Sequence, residues 1–257
     1  MPSGHVHFVG AGPGAADLIT VRGARVLASA EVVLFDALTD PAFRDLAPDA
    51  NWVDVGKRGF THHATAQQRI NALLVQFART GARVVRLKGG DPSVFGRLEE
   101  ELLALDAEGI PFDVVPGVTA ALAAAAATAR PLTRRGQGRS VALSTAMTEQ
   151  RELRASRRAD TEVFYMAGRQ LASLSRQLLD AGWPADTPAC VVSRAGWPDQ
   201  LVSDHAVKDL AAACVLHAGR PAVVTVGVGA TKVASHPQQL PEPGIAQGLA
   251  SSSLSKP

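Results

Sequence analysis

The sequence predicts an α/β fold built from two units, the first around a mostly parallel sheet and the second around a mixed one. Three observations carry this reading. Short β-branched runs alternate with helix-period segments through residues 1–129, a basic, glycine-containing connection interrupts them at residues 130–139, and a second alternation fills residues 140–234 with two of its strands close together. At 257 residues and 46 % hydrophobic content the chain can bury cores of this size.

In chain order, the first strands are expected at "HVHFVG" (5–10), "EVVLFD" (31–36), "NWVDVG" (51–56), "ARVVRL" (82–87) and "PFDVV" (111–115). Between the first two, a helix begins near Thr20, whose hydroxyl can cap it. Before the fourth strand, Ile70, Leu73, Leu74 and Phe77 recur at helical spacing, and Thr65 followed by Gln68 predicts a capping-box start. The alanine run 120–129 is too short to span a bilayer and reads as a tightly packed helix. In the second unit, strands are expected at "SVALST", "TEVFYMA", "PACVVSR", "DQLVSD" and "PAVVTVGV", with helices over 169–182 and 206–219. The proximity of the third and fourth of these strands predicts a hairpin and so a mixed sheet. Residues 235–257 are rich in proline and serine, with too little apolar surface to offset ordering, and read as a disordered tail.

Bulk properties narrow the function. Net charge is only +2, and aromatic residues are 5 % of the chain, which excludes a broad nucleic-acid surface or stacking platform; nothing predicts a membrane partner either. The two cysteines, Cys190 and Cys214, offer neither a disulfide framework nor a metal-ligand spacing. No signal-peptide pattern is visible, so a reducing, cytoplasmic setting is expected. His62 and His63 lack a third ligand at sensible spacing, and no metal is expected.

In open α/β sheets ligands bind beyond the carboxyl ends of the strands. Those ends read "GAGPG", "DALTD", "GKRGFTHH", "KGGDPSVFGR" and "PGVTA". The first, Gly10-Ala11-Gly12-Pro13-Gly14-Ala15, satisfies the spacing of a dinucleotide-binding turn, and Asp36 lies about twenty residues on. Pro13 weighs against that reading, because the phosphate site works through backbone N–H groups and proline has none. Asp17 adds negative charge nearby, and three further glycine-bearing loops on the same edge go unexplained.

"VGAGPGAADLIT", "EVVLFDALTDP", "VGKRGFTHH", "VVRLKGGDP", "VVPGVTA", "RPLTRRG" and "TEVFYMAGR" together resemble the tetrapyrrole methylases, over residues 5–230. The resemblance implies the two-domain tetrapyrrole methylase fold, with the active-site cleft between the domains, a homodimer, and S-adenosylmethionine as the cofactor. It also implies two methyl transfers to pyrrole carbons C2 and C7 of uroporphyrinogen III, a small-molecule tetrapyrrole, giving precorrin-2 and S-adenosylhomocysteine on a route to siroheme or cobalamin. Matched position by position, the family's cofactor-binding residues fall on Pro13, Gly89, Gly90, Asp91, Val94, Thr119, Ala120, Met166 and Ala195. Its base falls on Asp36, its acid on Lys57, and a pair that handles substrate and proton on Arg97 and Glu100. Arginine is a poor base at its ordinary pKa, so Arg97 reads better as a charge-orienting group. Because the substrate carries several carboxylates, Arg58, Arg130 and Arg134 are further substrate-binding candidates.

The chain departs from the family at Ala15, where an acid is usual, at Leu98 and Glu99, where two glycines are usual, and at Thr145-Ala146-Met147, where the family carries Thr-Gly-His. These leave two alternatives open: a methyltransferase acting on a later precorrin, and a homologue that binds cofactor or tetrapyrrole without turnover.

Overall fold

The computed structural model describes residues 4–36, 39–56, 63–146 and 155–233, the side chains of 63–66 excepted. The expected tail, Lys57, Arg58, His62 and Met147 lie outside the described residues.

The first sheet holds β1 (His5–Gly10), β2 (Val32–Phe35), β3 (Asn51–Asp54), β4 (Arg83–Lys88) and β5 (Phe112–Val115) in the order β3-β2-β4-β1-β5, every pairing parallel. Helices α1 (Val21–Ala28), α2 (His63–Arg79) and α3 (Leu98–Asp106) cover it, because strands buried on both faces need apolar layers on each side. Phe8, Leu34, Val84, Leu74 and Leu105 pack one face under α2 and α3, while Val9, Val33, Val85, Leu87 and Leu27 pack the other under α1. β1 and β4 are neighbours whose following helices go to opposite faces, so a crevice opens between their carboxyl ends.

Thr20 caps α1 as expected, its hydroxyl accepting from the Gly23 N–H at 3.0 Å. The start expected for α2 needs correction. The helix already runs from His63, so Thr65 lies inside its first turn and cannot be its cap.

Residues 130–139 turn through paired backbone bonds between Arg134 and Gly138 and lead into the second sheet. That sheet contains β6 (Val141–Thr145), β7 (Thr161–Tyr165), β8 (Pro188–Ser193), β9 (Leu201–Ala206) and β10 (Ala222–Gly227) in the order β6-β7-β10-β8-β9. Only β6 and β7 pair in parallel, and β8 and β9 form the expected hairpin. Between the sheets, α4 (Ala120–Ala127) lays Ala121, Ala123 and Ala124 on Val163, Cys190 and Val223, where small side chains let the helix approach the second sheet closely. α5 (Leu171–Asp180) covers the opposite face.

The helix expected over 206–219 is instead a 3-10 turn, Val207–Ala212, followed by the four-residue α6 (Ala213–Leu216). The buried residues Val207, Leu210 and Ala213 recur every third position, the repeat of the tighter helix. No helix among the described residues is long and apolar enough to cross a membrane.

Candidate active site

At the crevice, the loops after β1, β4 and β5 close on one another. The Gly12 N–H donates to the Gly90 carbonyl at 3.2 Å, and the Gly90 N–H returns a bond of 2.7 Å. Gly117 is packed so tightly that an added Cβ would stand 2.4 Å from the Gly90 carbonyl oxygen, closer than any real side chain tolerates. Glycine in "GAGPG" therefore serves contact between chain segments, which is why a phosphate-loop spacing arises without a phosphate loop.

Asp91 ties the cluster together. Its Oδ1 accepts from the Ser93 N–H at 2.8 Å and its Oδ2 from the Gly117 N–H at 2.9 Å. The resemblance had given Asp91 to the cofactor directly; here both oxygens also hold the loops in place. Gly90 has φ +74°, and its missing Cβ would point into open space, leaving that face of the backbone accessible. Gly89 beside it is exposed.

The second sheet contributes the opposite wall. The Ala15 N–H donates to the Gly196 carbonyl at 2.9 Å, so the segment after Pro13 sits against the residue next to Ala195. The Thr119 and Tyr165 hydroxyls are 2.8 Å apart, and the Phe95 ring lies 5.0 Å from that of Tyr165. Burial raises the Tyr165 phenol above its ordinary pKa, against the Thr119 bond. Met166, at the end of β7, adopts a left-handed conformation and is 43 % exposed, in contrast to the core role a methionine there would usually have. Val94 and Ala120 flank the apolar cluster on which α4 rests.

Backbone strain collects in the same region. Among the described residues, the non-glycine positions with left-handed backbone are Phe95, Arg97, Ala129, Met166 and Arg194. All five are candidate site positions or adjoin one, and such conformations persist where surrounding structure enforces them, often at functional sites.

Asp36, the base expected from the resemblance, stands just beyond β2. Its Oδ1 accepts from Arg86 Nη2 at 2.8 Å. Arg86 is buried in β4, and its Nε donates to Glu101 at 3.2 Å; the other Glu101 oxygen accepts from Lys88 Nζ at 2.7 Å. Two buried cations are thus balanced by two carboxylates, the arrangement that low-polarity surroundings require. Burial works against the Arg86 charge, but Asp36 and Glu101 outweigh it and lift its pKa above the ordinary value. Burial and then the Arg86 charge hold the Lys88 ammonium below its ordinary pKa, in spite of Glu101.

Sequence reasoning had missed Arg86, Lys88, Glu101 and Tyr165. A signal existed: Val84, Arg86 and Lys88 share one face of a central strand, where charge must be compensated, and Leu98, Glu101 and Leu105 recur along one side of α3. The other expected cations are placed differently from one another. Arg97 makes two bonds to Glu100, of 2.6 and 2.7 Å, at the start of α3. Arg130 is buried and paired with Asp204 at 2.5 Å, turned to the second sheet beside Cys190, whose thiol burial pushes up to about 11. Arg134 donates to the Thr231 carbonyl. Of the departing positions, Leu98 packs partly into the first core and Glu99 is exposed.

The sequence profile of the Tetrapyrrole (Corrin/Porphyrin) Methylases matches residues 5–211. A siroheme synthase of Psychrobacter sp. (strain PRwf-1) is 43 % identical over 215 residues, which cover 81 % of this chain and 44 % of that protein. A uroporphyrin-III C-methyl transferase from Thermus thermophilus, solved in complex with S-adenyl homocysteine, superposes with a TM-score of 0.76 at 37 % identity, covering 87 % of this chain and 97 % of the other. A cobalt precorrin-4 methyltransferase superposes with a TM-score of 0.77 at 29 % identity, over 88 % of this chain and 96 % of the other. The chain spans less than half the length of the siroheme synthases it matches.

Proposed function

Because the chain belongs to the tetrapyrrole methylase family, we propose that it transfers methyl groups from S-adenosylmethionine to C2 and C7 of uroporphyrinogen III, giving precorrin-2 for siroheme or cobalamin synthesis. The observation that carries this reading is Asp36, a part-exposed carboxylate held by a buried arginine beside a crevice walled from both sheets. The residues present fit the cofactor: Gly89 and Gly90 leave backbone open, and the Met166 thioether is exposed where an apolar wall is needed. Bound S-adenosylmethionine supplies an electrophilic methyl group on a sulfonium whose charge vanishes on transfer.

The chain's own residues must then orient the macrocycle and manage one proton per methylation. Pro13, Gly89, Gly90, Asp91, Val94, Thr119, Ala120, Met166 and Ala195 form the cofactor's walls in this reading. A pyrrole carbon gives its electron pair to the new C–C bond, and a proton leaves elsewhere on the macrocycle. Asp36 Oδ2 receives that proton while Arg86 keeps Oδ1 in place. Lys57 acts as the acid, giving a proton to one ring position while a second leaves another as the double bonds shift, so the net release stays one proton per methyl; Arg97, Arg58 and Arg134 receive substrate carboxylates, Arg97 by exchanging Glu100 for one of them. Arg130, already paired with Asp204, stays with the second sheet. The enzyme works as a cytoplasmic homodimer.

Purified chain incubated with S-adenosylmethionine and anaerobically generated uroporphyrinogen III should yield a dimethylated product. Absence of any methylated product overturns the proposal. Leu98 and Glu99, in place of two glycines, favour a second reading, a methyltransferase for a later precorrin. A panel of precorrins separates the two by which substrate gains mass.

A further inference from the structure

At the other end of the first sheet, where β1 and β5 begin, lies a cluster that the methylation chemistry does not use. His5 and His7 leave β1 on the same face, two residues apart, and Asp113 is the β5 residue in register with His7. His7 Nδ1 is 2.8 Å from Asp113 Oδ1, and His5 Nε2 is 3.4 Å from Asp113 Oδ2. One ligand atom from each residue lies within 4.8 Å of the others. His5 Nε2 is shielded from solvent and makes no hydrogen bond. The side chains as wholes remain open to approach, His5 at 37 % exposure, His7 at 20 % and Asp113 at 52 %.

We infer that His5, His7 and Asp113 bind a divalent transition-metal ion of the zinc type, with water completing its shell. Two imidazole nitrogens and one carboxylate suit zinc and its neighbours, whereas magnesium and calcium prefer oxygen ligands throughout. With bonds near 2.0–2.1 Å, ligand atoms around a tetrahedral ion stand about 3.3 Å apart. The His5–Asp113 distance of 3.4 Å already meets that spacing. The His7 contact of 2.8 Å is to the other carboxylate oxygen, Oδ1, and opens as Asp113 turns Oδ2 toward an ion among three ligand atoms that already lie within 4.8 Å of one another. The ion gives the orphaned His5 nitrogen a partner. It also fastens the edge strand β5 to β1, away from the loops that carry the methyl-transfer chemistry, so its role is structural.

The test uses the whole chain after chelator treatment, titrated with zinc chloride by calorimetry and with cobalt(II) as a spectroscopic probe. The site predicts one ion bound per chain with His5 and His7 as ligands, visible cobalt bands, and a melting temperature that rises with zinc. His5→Gln and Asp113→Asn should each weaken zinc affinity at least tenfold and abolish the cobalt bands, with methyl transfer unchanged. In the unmutated chain, zinc should shift the ring resonances of His5 and His7 in nuclear magnetic resonance spectra. No zinc binding, equal binding by wild type and both variants, or shifts confined to other histidines would each overturn the assignment; the ring-resonance measurement decides even if a variant fails to fold.

Discussion

Arg86 Nη2 holds Asp36 Oδ1 at 2.8 Å from inside the sheet, so the part-exposed carboxylate proposed as the base is oriented by a cation that water does not reach. Asp36→Asn keeps an oxygen for Arg86 but removes the proposed base. A positioned general base contributes roughly 10²–10⁴-fold. The variant should lose methylation by about that factor while its thermal shift with S-adenosylhomocysteine stays at the wild-type value. A variant with unimpaired turnover would remove Asp36 from the mechanism.

Glu101→Gln leaves Arg86 and Lys88 side by side with half their compensation gone. Breaking a buried charge pair from one side costs about 3–5 kcal/mol. Glu100→Gln, which removes a partly exposed pair with Arg97, should cost about 0–1 kcal/mol. Urea unfolding of the two variants should show this contrast, and equal midpoints would contradict the compensation described for the β4–α3 network.

Gly117→Ala and Gly90→Ala should separate folding from ligand access. At Gly117 the new methyl meets the Gly90 carbonyl and the loops must part, so stability and S-adenosylhomocysteine binding fall together. At Gly90 the methyl meets no protein atom, and the cost is the left-handed backbone alone, about 1–2 kcal/mol. Binding there should drop more than stability does, as read by calorimetric titration beside thermal melting.

His217 is buried in the second sheet's polar chain, its Nδ1 2.9 Å from Ser193 Oγ and its Nε2 2.8 Å from Ser203 Oγ. Burial, then the nearby His205 and Arg220 charges, lower its pKa from the ordinary value. Between the folded pKa and about 6.5 the unfolded chain binds the extra proton, so stability rises with pH in that window. The contribution is complete above about pH 6.5 and is lost as pH falls through the folded pKa. Denaturation midpoints measured from pH 5 to 8 should fall on the acid side, and His217→Gln should flatten the slope; an unchanged slope would assign it to other groups.

Much of the fold is legible in the sequence because its strands are short β-branched runs, several with glycine-bearing ends, and each expected run overlaps a strand. The misplacements have local causes. Thr65 satisfies a capping pattern, yet the backbone is already helical at His63, and the three-residue repeat of Val207, Leu210 and Ala213 looks helical without being α. At the site, loop residues such as Gly90 and Asp91 stand out because they interrupt strands. Arg86 and Lys88 do not, because "RVVRLK" reads as an ordinary strand until Glu101 arrives from a helix thirteen residues beyond Lys88. Periodicity puts Arg86 and Lys88 on one face of a central strand and so calls for compensation there, but which acid supplies it is a tertiary fact.

The contact of Gly14 with Gly196 carries a consequence for how such a protein can change. An added Cβ at Gly14 would fall 2.4 Å from the Gly196 carbonyl carbon, so Gly14 cannot acquire a side chain without parting the two segments, while Gly196 is kept by its left-handed backbone, φ +81°. The seam is a fixed floor, closed to drift. The Phe95 and Met166 side chains, 41 % and 43 % exposed, stand on the open rim. New substrate preferences would therefore evolve from the rim inward, on a floor that every descendant keeps.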